Sequence, residues 1–153
     1  MIQQFFTVPE AGALLPRLTS VMEEIRQVRQ EIERRADRIQ LLEGLWGEKI
    51  RGAGNPDREE FLRSKAELER SVHRLERLVE TNVLSLGVRL PVGGIEHGLV
   101  DFPARYAGRT VYLCWRLGEA QILAWHEVNA GFAGRRPLTE EVALAMGHER
   151  DVE

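Results

Sequence analysis

The stretch VYLCWRLGEAQILAWHE, residues 111–127, holds the one cysteine of the chain, Cys114, and two of its three tryptophans, Trp115 and Trp125. It also holds the carboxylate Glu119 and the adjacent pair His126-Glu127. Upstream, Asp101 sits inside the apolar run Leu99-Val100-Asp101-Phe102, where a carboxylate must find a donor or face water. Asp101, His126 and Glu127 are the residue types of a divalent-metal site or an acid/base cluster, with Glu119 or Cys114 as a neighbouring ligand or nucleophile. Arg135 and Arg136, in the loop GFAGRR at 131–136, are the candidates for holding an anionic substrate. Each residue also has a plainer reading. Cys114 in mid-strand is a buried, inert thiol. Asp101 forms an ion pair with Arg109, Arg116, Arg135 or Arg136, or holds His126 in one tautomer. Glu119 sits in water at a hairpin tip, and His73 and His97 are exposed.

Strand geometry decides how much the His126-Glu127 adjacency means. Consecutive strand residues face opposite ways, so the two side chains cannot chelate one metal from a regular strand. A hairpin centred on Gly118-Glu119 groups His126 with Val111, Leu113, Trp115, Ile122 and Ala124. Tyr112, Cys114, Trp125 and Glu127 then share the other face. A loop one residue longer shifts the pairing and regroups every neighbour. The sequence is consistent with both registers.

The elements that must carry this stretch follow from the change of period along the chain. After Gly87 apolar residues alternate with a period of two. Val88–Val92, Leu99–Phe102 (stopped by Pro103), Thr110–Trp115 and Ile122–Glu127 read as strands, with glycines at 93, 94, 98 and 108 between them. An antiparallel meander of three or four strands is expected. Pro137-Leu138-Thr139-Glu140-Glu141 then opens a short helix capped by Thr139.

Before Gly87 the period is 3.5. Thr7-Val8-Pro9-Glu10 is a capping-box helix start. Leu14, Leu18, Val21, Ile25, Val28, Ile32, Ile39, Leu42 and Trp46 follow at alternating steps of four and three, a coiled-coil seam. Pro16 should kink this helix. Glycines and Pro56 break the pattern over 44–56. Asp57, with Glu60, restarts a second helix whose stripe is Phe61, Leu68, Val72, Leu75, Val79 and Leu86, with Lys65 and Asn82 at seam positions. Two helices joined by a short loop pair antiparallel. The expected fold is therefore α+β: a long antiparallel helical hairpin, 1–87, a small β-rich unit, 88–147, and a flexible tail, 148–153.

Composition excludes several functions. Of 153 residues, 29% are charged with a net charge of -3, and the two signs alternate along the helices. No basic footprint for nucleic acid is present. No stretch approaches the ~20 apolar residues that span a bilayer. One cysteine rules out an internal disulfide and a multi-cysteine zinc site, and suits a reducing cytoplasm.

The segments FFTVPEAGALLPRL, GLVDFPA, VYLCWRLGE and WHEVNAGFAGRRPL together resemble a bacterial domain-of-unknown-function family, DUF2203, over nearly the whole chain. The resemblance implies a helical hairpin followed by a compact aromatic-rich unit. No activity, substrate or cofactor comes with it, so it assigns no catalytic residue. The chain departs from the family pattern in its glycine-rich 44–56 loop and in Ala120, where the family carries proline. On residues and resemblance together, the expectation is a cytoplasmic interaction module. It forms a homodimer through the hairpin and has a protein partner for the sheet unit. The competing expectation is an enzyme or small-anion binder with a divalent metal at Asp101, His126 and Glu127.

Overall fold

The computed structural model describes residues 4–148. The chain forms two compact units: residues 24–79, and residues up to Glu23 together with those from Glu80 onward. Most of the tail expected at 148–153 lies outside the described residues. Among the described residues no helix is long and apolar enough to cross a membrane.

The 24–79 unit is an antiparallel helix pair. Helix α2 spans Leu15–Trp46 and helix α3 spans Arg58–Arg77. Cross-helix pairs run in opposite order along the two helices: Glu24–Arg74, Glu31–Ser71, Arg35–Glu67, Arg38–Glu60 and Trp46–Asp57. Near the loop end Ile39, Leu42, Ile50 and Phe61 form a buried cluster, with Trp46 and Leu68 packed against it. The stripe on α3 is rotated from the sequence expectation. Phe61, Ser64, Ser71 and Leu78 are buried and Leu68 and Leu75 half-buried, whereas Lys65, Val72 and Asn82 are exposed. Steps of three and four from Phe61 lead through both serines, whose small side chains suit a close helix–helix contact. Asp57 stands at the start of α3 but makes no side-chain cap. Its carboxylate instead accepts from Trp46 Nε1 at 2.9 Å.

In the other unit, Thr7 and Glu10 form the expected capping box of helix α1, Val8–Ala13. Pro16 breaks the helix where a kink was expected: α1 ends at Ala13 and α2 begins at Leu15, one residue before the proline. That puts Pro16 in a first turn, where its missing N–H leaves no bond unmade. Gly87, at φ 88°, closes the helical segment in the left-handed conformation.

The second unit's sheet has strands β1 Leu99–Tyr106, β2 Arg109–Arg116, β3 Ala124–Glu127 and β4 Arg136–Pro137, antiparallel and in chain order. Three strand expectations change. The segment 88–92 makes a single bridge, Arg89 to Asp101, because the chain turns at Pro91 into the short helix Gly94–His97, here α4. Strand β1 runs through Pro103: its nitrogen faces the edge away from β2, where only the Pro103 carbonyl is engaged, accepting from the Phe6 N–H at 2.8 Å, so the missing N–H breaks no ladder. Residues 122 and 123 lie outside β3, and the fourth strand is the 136–137 segment instead. A two-residue turn, Ala107-Gly108, with φ 52° and 80°, joins β1 to β2. Helix α5, Glu140–Ala145, carries the expected Thr139 cap.

Candidate functional site

Register sorts the sheet residues into two faces. Val100 pairs with Trp115, Phe102 with Leu113 and Ala104 with Val111; Trp125 lies opposite Leu113 on the other side. All seven are buried, and they make one apolar face. Asp101 pairs with Cys114 and Pro103 with Tyr112, while Ala124 lies opposite Cys114 and His126 opposite Tyr112. These residues share the second face. The pairing is the shifted one of the two registers, so His126 joins Cys114 and Tyr112 and not Val111 and Leu113. The loop 117–123 is correspondingly longer than a tight turn. It is tied by Trp115 Nε1 donating to the Glu119 carbonyl at 2.9 Å. The Arg116 N–H donates to the Glu119 carboxylate at 2.8 Å.

The second face brings three donor types to one point. Asp101 and His126, on β1 and β3, reach across β2. The His126 Nε2 lies 3.2 Å from Asp101 Oδ1. Cys114, between them on β2, places its sulfur so that the three donor atoms lie within 4.8 Å of one another. Asp101 is 0% exposed and Cys114 and His126 are 1% exposed. Arg89 comes from the bridge on the far side of β1, where its backbone and that of Asp101 exchange two 2.8 Å hydrogen bonds. Its guanidinium donates to Asp101 Oδ2 at 2.8 Å and lies over the Tyr112 ring, 3.9 Å from the centroid. Tyr112 is in turn 5.6 Å from the His126 ring.

Both nitrogens of His126 face acceptors. Nδ1 lies 2.7 Å from the Glu127 carbonyl and Nε2 faces the Asp101 carboxylate, so both bonds are made when both nitrogens carry protons. Burial pushes the imidazole pKa down. The hydrogen bonds to Asp101, Cys114 and the Glu127 carbonyl, with the Asp101 charge, outweigh it and raise the pKa from 6.5 to about 10. The metal-free cluster is thus an imidazolium held by a carboxylate that a guanidinium also holds.

The other sequence candidates lie elsewhere. Glu127 is on the apolar face, where Arg109 grips both of its oxygens at 2.8 and 2.6 Å and Arg136 stands at 3.9 Å. The Arg109 hydrogen bond holds its carboxyl below the ordinary range. Its carbonyl, and not its carboxylate, serves the cluster. Glu119 is half-buried at the loop and pairs with Arg135 at 3.1 Å. Arg135 also lies over Phe132, and Arg136 over Trp125. His73 and His97 are exposed. Two cluster members were missed from sequence, Arg89 and Tyr112. The available signal for Arg89 was a single charge between Val88 and Leu90 in a period-two segment, beside a strand carrying a lone carboxylate.

An oxygen, a nitrogen and a sulfur donor, all buried, can hold a proton or coordinate a cation. Among the described residues no other group of three such side chains converges in this way. The chain belongs to DUF2203, a family of uncharacterized conserved proteins, whose model matches residues 4–138. No curated protein and no solved structure gives a significant match.

Proposed function

We propose that this DUF2203 member is an interaction module that forms a homodimer through its helical hairpin in a bacterial cytoplasm, leaving the sheet unit to bind a protein partner. One observation supports the reading. On α2, Leu41 and Leu45 are 51% and 67% exposed. They stand one turn apart, with Asp37, Gln40 and Gly44, along a shallow groove. Much of the apolar seam first read as the docking surface is buried within the single chain at Ile39, Leu42 and Phe61, so association uses this outer stripe. Gly44 has nothing within 4 Å of where a Cβ would stand, which leaves room for a second helix to approach. A two-fold contact sets the stripe against itself, Leu41 of one copy on Leu45 of the other, in a coiled-coil-like contact.

Each leucine side chain fully withdrawn from water contributes roughly 1.5–3 kcal/mol before the cost of association, so the dimer is concentration-dependent. Charges of both signs along the helices argue for a protein partner over nucleic acid. Sedimentation equilibrium over roughly 1 µM to 1 mM, the range spanned by association energies of about 4–8 kcal/mol, tests this. The wild type is expected to dimerise. Leu41→Glu with Leu45→Glu is expected to stay monomeric with an unchanged circular dichroism spectrum. A wild-type monomer throughout that range overturns the reading.

A further inference from the structure

We propose that Asp101, Cys114 and His126 form a binding site for one divalent transition metal, with zinc the ion best fitted to the donor set. The site is independent of the hairpin and of any dimer.

The donors are a carboxylate oxygen, an imidazole nitrogen and a sulfur, the combination that zinc accepts in tetrahedral sites. Ligand bonds of about 2.0–2.3 Å at tetrahedral angles separate neighbouring donor atoms by roughly 3.3–3.6 Å. The 3.2 Å between His126 Nε2 and Asp101 Oδ1 is already that edge. The sulfur, no more than 4.8 Å from either, closes the triangle by a small rotation about the Cys114 side chain.

The surroundings are those of a ligand set held in place from outside. His126 Nδ1 donates to the Glu127 carbonyl at 2.7 Å, which turns Nε2 toward the other two donors. Asp101 Oδ2, the oxygen turned away from His126, accepts from Arg89 and so keeps Oδ1 aimed inward. Three side chains on three adjacent strands need no loop to order before they meet. Of the charged and ligating side chains in the group, Arg89 is the one that reaches solvent, at 39% exposed.

Zinc would take an unprotonated Nε2 and a thiolate, so binding displaces any protons on those two atoms to solvent. Three protein ligands leave a fourth position for water or a small anion.

The full chain, stripped with EDTA, desalted and kept reduced, is titrated with Co²⁺ as a spectroscopic stand-in for zinc. About one equivalent per chain is expected to bind with an intense sulfur-to-cobalt charge-transfer band and tetrahedral visible bands, both abolished by added Zn²⁺. Because Cys114 is the only cysteine, a thiolate band can come from no other residue. Cys114→Ser should remove the band and His126→Gln should weaken binding more than tenfold, whereas Glu127→Gln should change nothing. Wild-type protein that is folded by circular dichroism yet shows no thiolate band overturns the proposal, whether cobalt fails to bind or binds elsewhere. That result needs no variant to fold.

Discussion

Asp101 and His126 meet at 3.2 Å across the middle strand of the sheet, and both side chains are shut off from water. The carboxylate is shared with Arg89, so one negative charge is held between two positive ones. Removing that charge while keeping its shape leaves a buried imidazolium without a counter-ion. Asp101→Asn in EDTA-treated protein should therefore lose about 3–5 kcal/mol in urea unfolding. Arg89→Gln should cost less, roughly 1 kcal/mol, because the guanidinium is partly solvated and water replaces one of its partners. An Asp101→Asn chain as stable as its parent would show that the pair is not charged.

The same pair makes stability fall with rising pH. The folded-state pKa of His126, about 10, lies above its unfolded value near 6.5. Between those values the native state binds a proton that the unfolded chain lacks. The contribution is complete below pH 6.5 and is lost as pH climbs through 10, with a size on the order of a few kcal/mol. Urea midpoints of the metal-free protein at intervals from pH 6 to pH 10 read this directly. A flat profile, or one that rises, contradicts the doubly protonated ring.

Glu127 provides the contrast. Its carboxylate sits on the opposite face in a solvated pair with Arg109, and the cluster uses only its carbonyl. Glu127→Gln should lower the urea midpoint only slightly, through loss of the solvated Arg109 pair, and should leave the pH profile between 6 and 10 unchanged, because the carbonyl survives the substitution. A Glu127→Gln chain with the pH profile of a His126 variant would tie the carboxylate to the cluster after all.

Much of this architecture is written locally. The Thr7–Glu10 capping box, the left-handed Gly87 and the switch of apolar period beside it are properties of a few consecutive residues, and each is legible. The α3 stripe was misplaced by one position because Ser64 and Ser71 carry no apolar signal, although their size suits the seam. The candidate site was half legible for a related reason. Asp101 and His126 stand out by type. Which residues join them depends on strand register, and register depends on the 117–123 loop, held by the Trp115 and Arg116 bonds to Glu119. Those bonds exist only once the chain has folded, so Cys114 could not be placed beside His126, nor Glu127 away from it. Arg89 was hidden because its partner arrives from a different strand.

The start of β1 fixes where Asp101 stands, and Gly98 fixes the start of β1. Its φ of 70° is left-handed, and a Cβ there would lie 2.8 Å from the Leu117 Cβ. Its carbonyl accepts from the Leu117 N–H at 2.8 Å, which closes the β1–β2 ladder at that end. Gly108, in the turn at the other end of the same two strands, has a similar φ of 80° but nothing within 4 Å. The two glycines separate backbone strain from contact. Gly108→Ala should cost about 1 kcal/mol, the left-handed penalty alone. Gly98→Ala adds a clash with a loop that cannot retreat without giving up the Gly98–Leu117 bond, and should cost roughly 2–3 kcal/mol. It should also loosen the pairing of Asp101 with Cys114, three rungs in, so that amide exchange at Asp101 and Cys114 quickens more in Gly98→Ala than in Gly108→Ala. Equal costs for the two alanines, with equal exchange, would mean that Leu117 yields freely and that the register of the cluster is set elsewhere.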